Sequence, residues 1–145
     1  MKSIYVFPVV LLFLFSFSHK PGREVISCNK APKPIGPYSQ AIKCGNTVYV
    51  SGQIALDANG VLDTSSIENE CRTVLQNIKA ILEAGGLGLQ DVNKTTIYTT
   101  DLKQFARINE VYKTFFTTLP PARETVQVSA LPKGAHVEIS VIAGQ

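Results

Sequence analysis

Between Ser65 and Gly86 apolar residues return every three or four positions, and this run constrains the fold more than any other feature of the chain. Ile67, Cys71, Val74, Leu75, Ile78, Ile81 and Leu82 fall on one face of a 3.6-residue period, as a helix packed on one side requires. Ser65 and Glu68 stand at capping-box spacing before it and Gly85-Gly86 offers a left-handed stop, so the helix should run to about Ala84. Such a helix cannot bury its own stripe and must lie on a sheet or on other helices.

The neighbouring segments supply the sheet. Ser39 to Cys44 and Thr47 to Gln53 read as strands joined at Gly45-Asn46, a hairpin-turn pair, and Asn59-Gly60 closes the next short segment. Val92 to Thr100, rich in Thr, Ile and Tyr, is expected to be a strand. Asp101 and Gln104 repeat the capping spacing before a second helix with the stripe Leu102, Phe105, Ile108, Tyr112 and Phe116. Pro120-Pro121 must end it, because proline has no amide to donate and disfavours helical angles before it. Arg123 to Ala130 and His136 to Ala143 are expected to be the last two strands, joined by Leu131-Pro132-Lys133-Gly134. The order βββ-α-β-α-ββ implies the α+β class: one mixed, mostly antiparallel sheet with both helices on a single face.

Alternation in the last two strands bears on assembly. Val126, Val128 and Ala130, with Val137, Ile139 and Val141, are the natural partners of the helices. The other face then carries Arg123, Thr125, Gln127 and Ser129 beside His136, Glu138 and Ser140, mostly small neutral polar groups. Such a face is either covered by another copy of the chain, in a closed homo-oligomer, or simply hydrated.

With 145 residues, 45% hydrophobic and 17% charged, the chain suits one core. Its start reads differently: Lys2 precedes an almost unbroken apolar run from Ile4 to Phe17, shorter than the ~20 residues a spanning helix needs. With Ser16 and Ser18 as small residues before a cut at His19, residues 1–18 read as a signal peptide-like leader and 19–145 as the domain; an uncleaved anchor is the competing reading. Removal would send the protein to the secretory pathway or an endosymbiotic organelle, clear of the membrane. An unused leader would leave it in the cytoplasm or mitochondrion. In the exported case Asn93-Lys94-Thr95 becomes a glycosylation acceptor.

The net charge of +3 is scattered, so no nucleic-acid partner is expected. Cys28, Cys44 and Cys71 show neither metal-ligand nor disulfide-framework spacing, and no metal is expected. No Gly-x-Ser-x-Gly elbow, Walker loop or GxGxxG is present, and the only histidines are His19 and His136. Two candidates for chemistry remain. Arg123 follows the rigid lead-in Pro120-Pro121-Ala122, and its fork of N–H donors would match a small carboxylate; Glu138, between Val137 and Ile139, could move protons. An arginine and a glutamate on neighbouring strands also suit a structural ion pair.

Several segments together resemble the RidA/YjgF family of imine deaminases: Ile35-Gly36-Pro37-Tyr38-Ser39-Gln40-Ala41, Val50-Ser51-Gly52-Gln53-Ile54, Asn77 to Gly86, Pro121-Ala122-Arg123, Ala130 to Gly134 and Val137-Glu138-Ile139. They occur in the family's order from about Val25 to Ala143. The resemblance implies a chorismate-mutase-like fold, a homotrimer joined through its sheets, active-site clefts between neighbours, and no cofactor. It implies hydrolysis of 2-aminoacrylate, 2-iminopropanoate and 2-iminobutanoate to 2-keto acids and ammonia. Arg123 matches the arginine that grips the substrate carboxylate and Glu138 the acid that assists water; Tyr38, Ser51, Gly52, Asn109 and Thr125 match cleft positions. Relatives described as ribonucleases that inhibit translation, or as non-catalytic ligand-binding or chaperone-like proteins, give the alternatives. Three departures stand out: Thr125 where many bacterial relatives have cysteine, Ser140 where an acid is common, and a short stretch from Thr117 to Pro120.

Overall fold

The computed structural model describes residues 22–144, and the leader-like segment 1–18 with its cut at His19 lies outside them. Eight main elements follow in the order β1 (Arg23–Ile26), β2 (Ala41–Cys44), β3 (Thr47–Gln53), α1 (Ile67–Ala84), β4 (Val92–Thr99), α2 (Phe105–Phe115), β5 (Ala122–Gln127) and β6 (Val137–Gly144). The expected order βββ-α-β-α-ββ is therefore present. Its first strand is Arg23–Ile26, whereas the segment after Gln53 turns back at Asn59-Gly60 with only a single bridge between Leu56 and Leu62.

The six strands form one sheet in the order β1-β2-β3-β6-β4-β5. Every pairing is antiparallel except β4 with β5, which α2 connects as a parallel crossover. Both helices pack on one face. Val74, Leu75, Ile78, Ile81 and Leu82 of α1 meet Val48, Ile97, Val137 and Ile139 of the sheet, all fully buried. Each such side chain contributes roughly 1.5–3 kcal/mol of burial.

Local chemistry sets the helix ends. The α1 cap is Ser66, one residue beyond the expected Ser65, and its side chain accepts from the Asn69 amide at 3.1 Å. Ser65 instead accepts from the Asn69 side chain, and Glu68 is drawn off to Arg107, so no box closes. At the other end Gly86, at φ +78°, lets the Leu87 amide reach back to the Leu82 carbonyl. Asp101 caps a short 3-10 turn, Leu102–Gln104, before α2 rather than α2 itself. That turn swings Leu102 and Phe105 outward to 42% exposure each, so the buried stripe of α2 is Ile108, Val111, Tyr112 and Phe116.

The largest departure from expectation lies in β5. Arg123 sits opposite Thr95 and Thr125 opposite Ile97, both fully buried on the helix side. Arg123 and Thr125 therefore face the helices, while Val126 pairs with Tyr98 on the outer face at 43% exposure. Period-2 alternation fixes which residues share a face but not which face is inner, and a one-residue shift exchanges the two. Val128 and Ala130 lie beyond the end of the strand. Nor are β5 and β6 neighbours, since β4 runs between them. His136 also departs from the outer face: it precedes β6, and its ring reaches Glu70 on α1, Nδ1 to Oε1 at 2.6 Å.

Candidate active site

Glu138 points outward from β6, paired across the ladder with Tyr98. The ladder between β3 and β6 is interrupted between Val50 and Gln53, a bulge of the kind that re-aims side chains near functional sites. There the Glu138 carboxyl lies directly over Gly52: a β-carbon at that position would stand 1.9 Å from Oε1. Glycine is thus needed for close approach.

The walls around this carboxyl come from the 28–40 segment, tied down by buried Gln40. Its side chain accepts from the Cys28 amide at 2.6 Å and donates to the Cys28, Ala31 and Pro32 carbonyls. The loop so held presents Ile35 and Tyr38. The Tyr38 oxygen accepts from the Ile35 amide at 3.2 Å, which leaves the phenolic proton free to donate into the cavity. Ser51 donates its hydroxyl to the Ser39 carbonyl at 2.7 Å and so offers lone pairs only. The result is a cavity of about 210 Å³ lined by Ile35, Tyr38, Ser51, Gly52, Ile54, Pro132 and Glu138. Burial among these groups pushes the Glu138 carboxyl above the usual glutamate range. Its proton is therefore held to higher pH than on a solvated acid.

Arg123 belongs to a different cavity, on the helix side, of about 460 Å³, whose walls include Asn109, Tyr112, Phe116, Pro120 and Pro121. Its guanidinium carbon stands 4.7 Å from the Tyr112 ring centroid and 5.7 Å from that of Phe105. Among the described residues no carboxylate lies within ion-pair distance of it. The expected alternative, a structural pair with Glu138, is ruled out because the two side chains leave opposite faces of the sheet. Asn109 Oδ1 is buried in this region without a hydrogen-bond partner. Thr125 follows Arg123 on the same face but is not among the walls of the cavity.

Of the residues singled out in the sequence, Tyr38, Ser51, Gly52 and Glu138 are brought together in one cavity, and Arg123 and Asn109 in another. Ile35, Ile54 and Pro132 were not singled out, because apolar residues inside short motifs carry no chemical signal of their own. Tyr112 was placed in the buried stripe of α2, which it joins at 5% exposure; only the register of β5 shows that it also carries an arginine.

The protein family described as endoribonuclease L-PSP matches residues 28–145. A RutC family protein of Pyrococcus horikoshii is 52% identical over 122 residues, which cover 83% of this chain and 97% of the relative. The Mus musculus protein named 2-iminobutanoate/2-iminopropanoate deaminase is 46% identical over 124 residues, covering 85% of this chain and 92% of its own. Among solved structures, E. coli TdcF with bound serine superposes with a TM-score of 0.81 at 41% identity, covering 84% of this chain and 98% of that one.

Proposed function

The chain belongs to the RidA/YjgF family, also described as endoribonuclease L-PSP, and from that premise we propose that it hydrolyses small 2-imino acids and their enamine tautomers to 2-keto acids and ammonia. The substrates are 2-aminoacrylate, 2-iminopropanoate and 2-iminobutanoate. An imine carbon is already electrophilic, so its hydrolysis asks mainly for orientation and proton handling. Arg123 takes the carboxylate on its planar fork. Glu138 removes a proton from water as the new C–O bond forms and the C=N π bond opens. Glu138 returns that proton to nitrogen to give the carbinolamine, then takes the proton of the new hydroxyl and passes it to nitrogen as well, so that the C=O bond forms as the C–N bond breaks and ammonia leaves carrying both water protons. Tyr38 donates to the bound molecule, and Ile35, Ile54 and Pro132 shelter a short aliphatic side chain.

The observation that carries this reading is the placement of a guanidinium with no carboxylate at ion-pair distance among the described residues, and of a partly buried carboxyl, in separate cavities on opposite faces of one sheet. Neither half suffices, so the site is completed between copies of the chain, in a homotrimer with a cleft at each junction. The outer sheet face supports such an assembly: Val25, Tyr49, Val126 and Ile142 stand 36–63% exposed on it. A head-to-tail contact that closes into a ring covers that face and brings different surfaces together at each junction. The ligand class fits the relatives, one named for imine deamination and one holding serine, a small amino acid.

The test generates 2-iminobutanoate in situ with a dehydratase or an amino-acid oxidase and follows keto-acid release. Wild type should outrun spontaneous hydrolysis, and Arg123→Lys, which keeps the charge but loses the fork, should lose at least ~100-fold in kcat/KM. Wild type no faster than the uncatalysed reaction ends the enzyme reading. RNA cleavage undiminished in Arg123→Ala would assign any ribonuclease activity to a different site.

A further inference from the structure

We infer that Tyr112 is the positioning residue of the carboxylate clamp, an aromatic bed that aims the Arg123 guanidinium, with Thr95 fixing the bed in turn. The inference rests on the reading that Arg123 binds the substrate carboxylate. A guanidinium used for this purpose faces a conflict: an acid that held it in place by hydrogen bonds would occupy the N–H donors that the ligand needs. The chain avoids the conflict by holding the group through its π face. The Tyr112 ring lies 4.7 Å from the guanidinium carbon, within the range of cation–π attraction, and the Phe105 ring supports it at 5.7 Å. Held over a ring rather than by an acid, the guanidinium lines the cavity with no carboxylate at ion-pair distance among the described residues to compete for its N–H groups.

The bed is itself anchored. The Tyr112 hydroxyl donates to Thr95 Oγ1 at 3.0 Å, a fully buried contact between α2 and β4. Thr95 is the residue opposite Arg123 in the parallel ladder of β4 and β5. Phe116, the residue that caps the end of α2, packs against the tyrosine with ring centroids 4.5 Å apart. Backbone register and helix packing thus meet at a single ring, and the orientation of the guanidinium is set before any ligand arrives. A flexible arginine in solvent would lose side-chain entropy on binding, and preorganisation removes part of that cost. The gain belongs equally to substrate and transition state, so its loss should appear in KM and not in kcat.

The experiment measures binding of 2-oxobutanoate and of its uncharged amide, 2-oxobutanamide, by calorimetry, alongside steady-state hydrolysis of 2-iminobutanoate. Tyr112→Leu should weaken 2-oxobutanoate about tenfold while leaving the amide within about twofold, and should raise KM in parallel with little change in kcat. Tyr112→Phe, which keeps the ring and loses only the Thr95 anchor, should weaken 2-oxobutanoate by about two- to threefold, clearly less than Tyr112→Leu, with kcat little changed. A general structural lesion would weaken both ligands and lower kcat, so the acid-to-amide ratio isolates positioning. If Tyr112→Leu does not fold, Phe105→Leu, on a half-exposed ring, decides: a fall of about twofold in the same ratio supports the inference and no change overturns it. An unchanged ratio in folded Tyr112→Leu also overturns it, as does equal damage from Tyr112→Phe, which would show that the ring itself does not hold the guanidinium. Wild type that prefers the acid but hydrolyses no imine would end the deaminase reading and leave this one standing. Wild type without preference for the acid would end both.

Discussion

The two cavities of this chain hold their key side chains by opposite means. Around Glu138 the work is done by the backbone: a bulge in β3, a glycine under the carboxyl, and a loop stapled by the four hydrogen bonds of Gln40. Around Arg123 it is done by packing, with two aromatic rings under the guanidinium and no carboxylate within ion-pair distance among the described residues. The difference suits the roles proposed for each group. A carboxyl that moves protons gains from desolvation, which a tight backbone pocket supplies, whereas an anion clamp must keep its donors unspent.

The Glu138 side breaks most sharply at Gly52. A methyl group there would fall 1.9 Å from Oε1 and force the carboxyl away. Gly52→Ala should lower kcat/KM by roughly 10–100-fold in the imine assay, since a displacement of about 1 Å at a catalytic group costs on that order. Thermal unfolding should barely move, because the clash is with the far end of a side chain that is only partly buried and can shift. A Gly52→Ala enzyme of full activity would remove Glu138 from the mechanism.

A smaller effect concerns pH. Burial raises the Glu138 pKa in the folded chain above its ordinary 4.5, so deprotonation, and with it the acid limb of kcat/KM, should come above that value. Glu138→Gln should flatten the limb along with lowering the rate. The sign for stability is the reverse of the usual carboxylate case. A raised folded-state pKa means that the cost of the buried charge is absent below pH 4.5 and present once the pH has risen through the folded value. Glu138→Gln should therefore unfold at or above the wild-type temperature at pH 7, with the difference closing in acid. A wild-type limb at or below 4.5 would contradict the desolvated pocket.

The smallest effect is expected from thiol chemistry. Burial pushes the Cys71 thiol up to about 12, Cys28 is also buried, and Thr125, on the same strand face as Arg123, carries no thiol. Incubation with iodoacetamide near neutral pH should leave turnover unchanged; inactivation would point to Cys44, the one partly exposed thiol of the three.

The same contrast separates what the sequence makes legible from what it conceals. Helix α1 can be read almost residue by residue because its stripe, its serine cap and its glycine stop are all local signals, although the cap is Ser66 rather than the expected Ser65 and Glu68 turns to Arg107 instead of closing a box. The order of elements along the chain was nearly as plain, the first strand apart, but their order in the sheet was not, since β4 runs between the last two strands, which were expected side by side. Which way β5 faces misled: Val126 and Val128 were expected against the helices, whereas Arg123 and Thr125 face them, because the answer depends on pairing with β4, a long-range contact. An arginine stacked on the helix side looks like an error of patterning until Tyr112 is seen beneath it. Arg123 and Glu138 were legible as chemistry by residue type. Tyr38, Ser51, Gly52, Asn109 and Thr125 stood out only through the family resemblance, because taken singly each suits an ordinary structural role.

The central claim, that Arg123 of one copy and Glu138 of another share each substrate, is tested most directly by mixing two inactive variants. Arg123→Ala and Glu138→Gln chains, unfolded together and refolded as mixed oligomers, should regain about a quarter of wild-type turnover, since that fraction of head-to-tail junctions pairs an intact arginine with an intact glutamate. Activity no greater than the sum of the separately refolded variants would contradict the account.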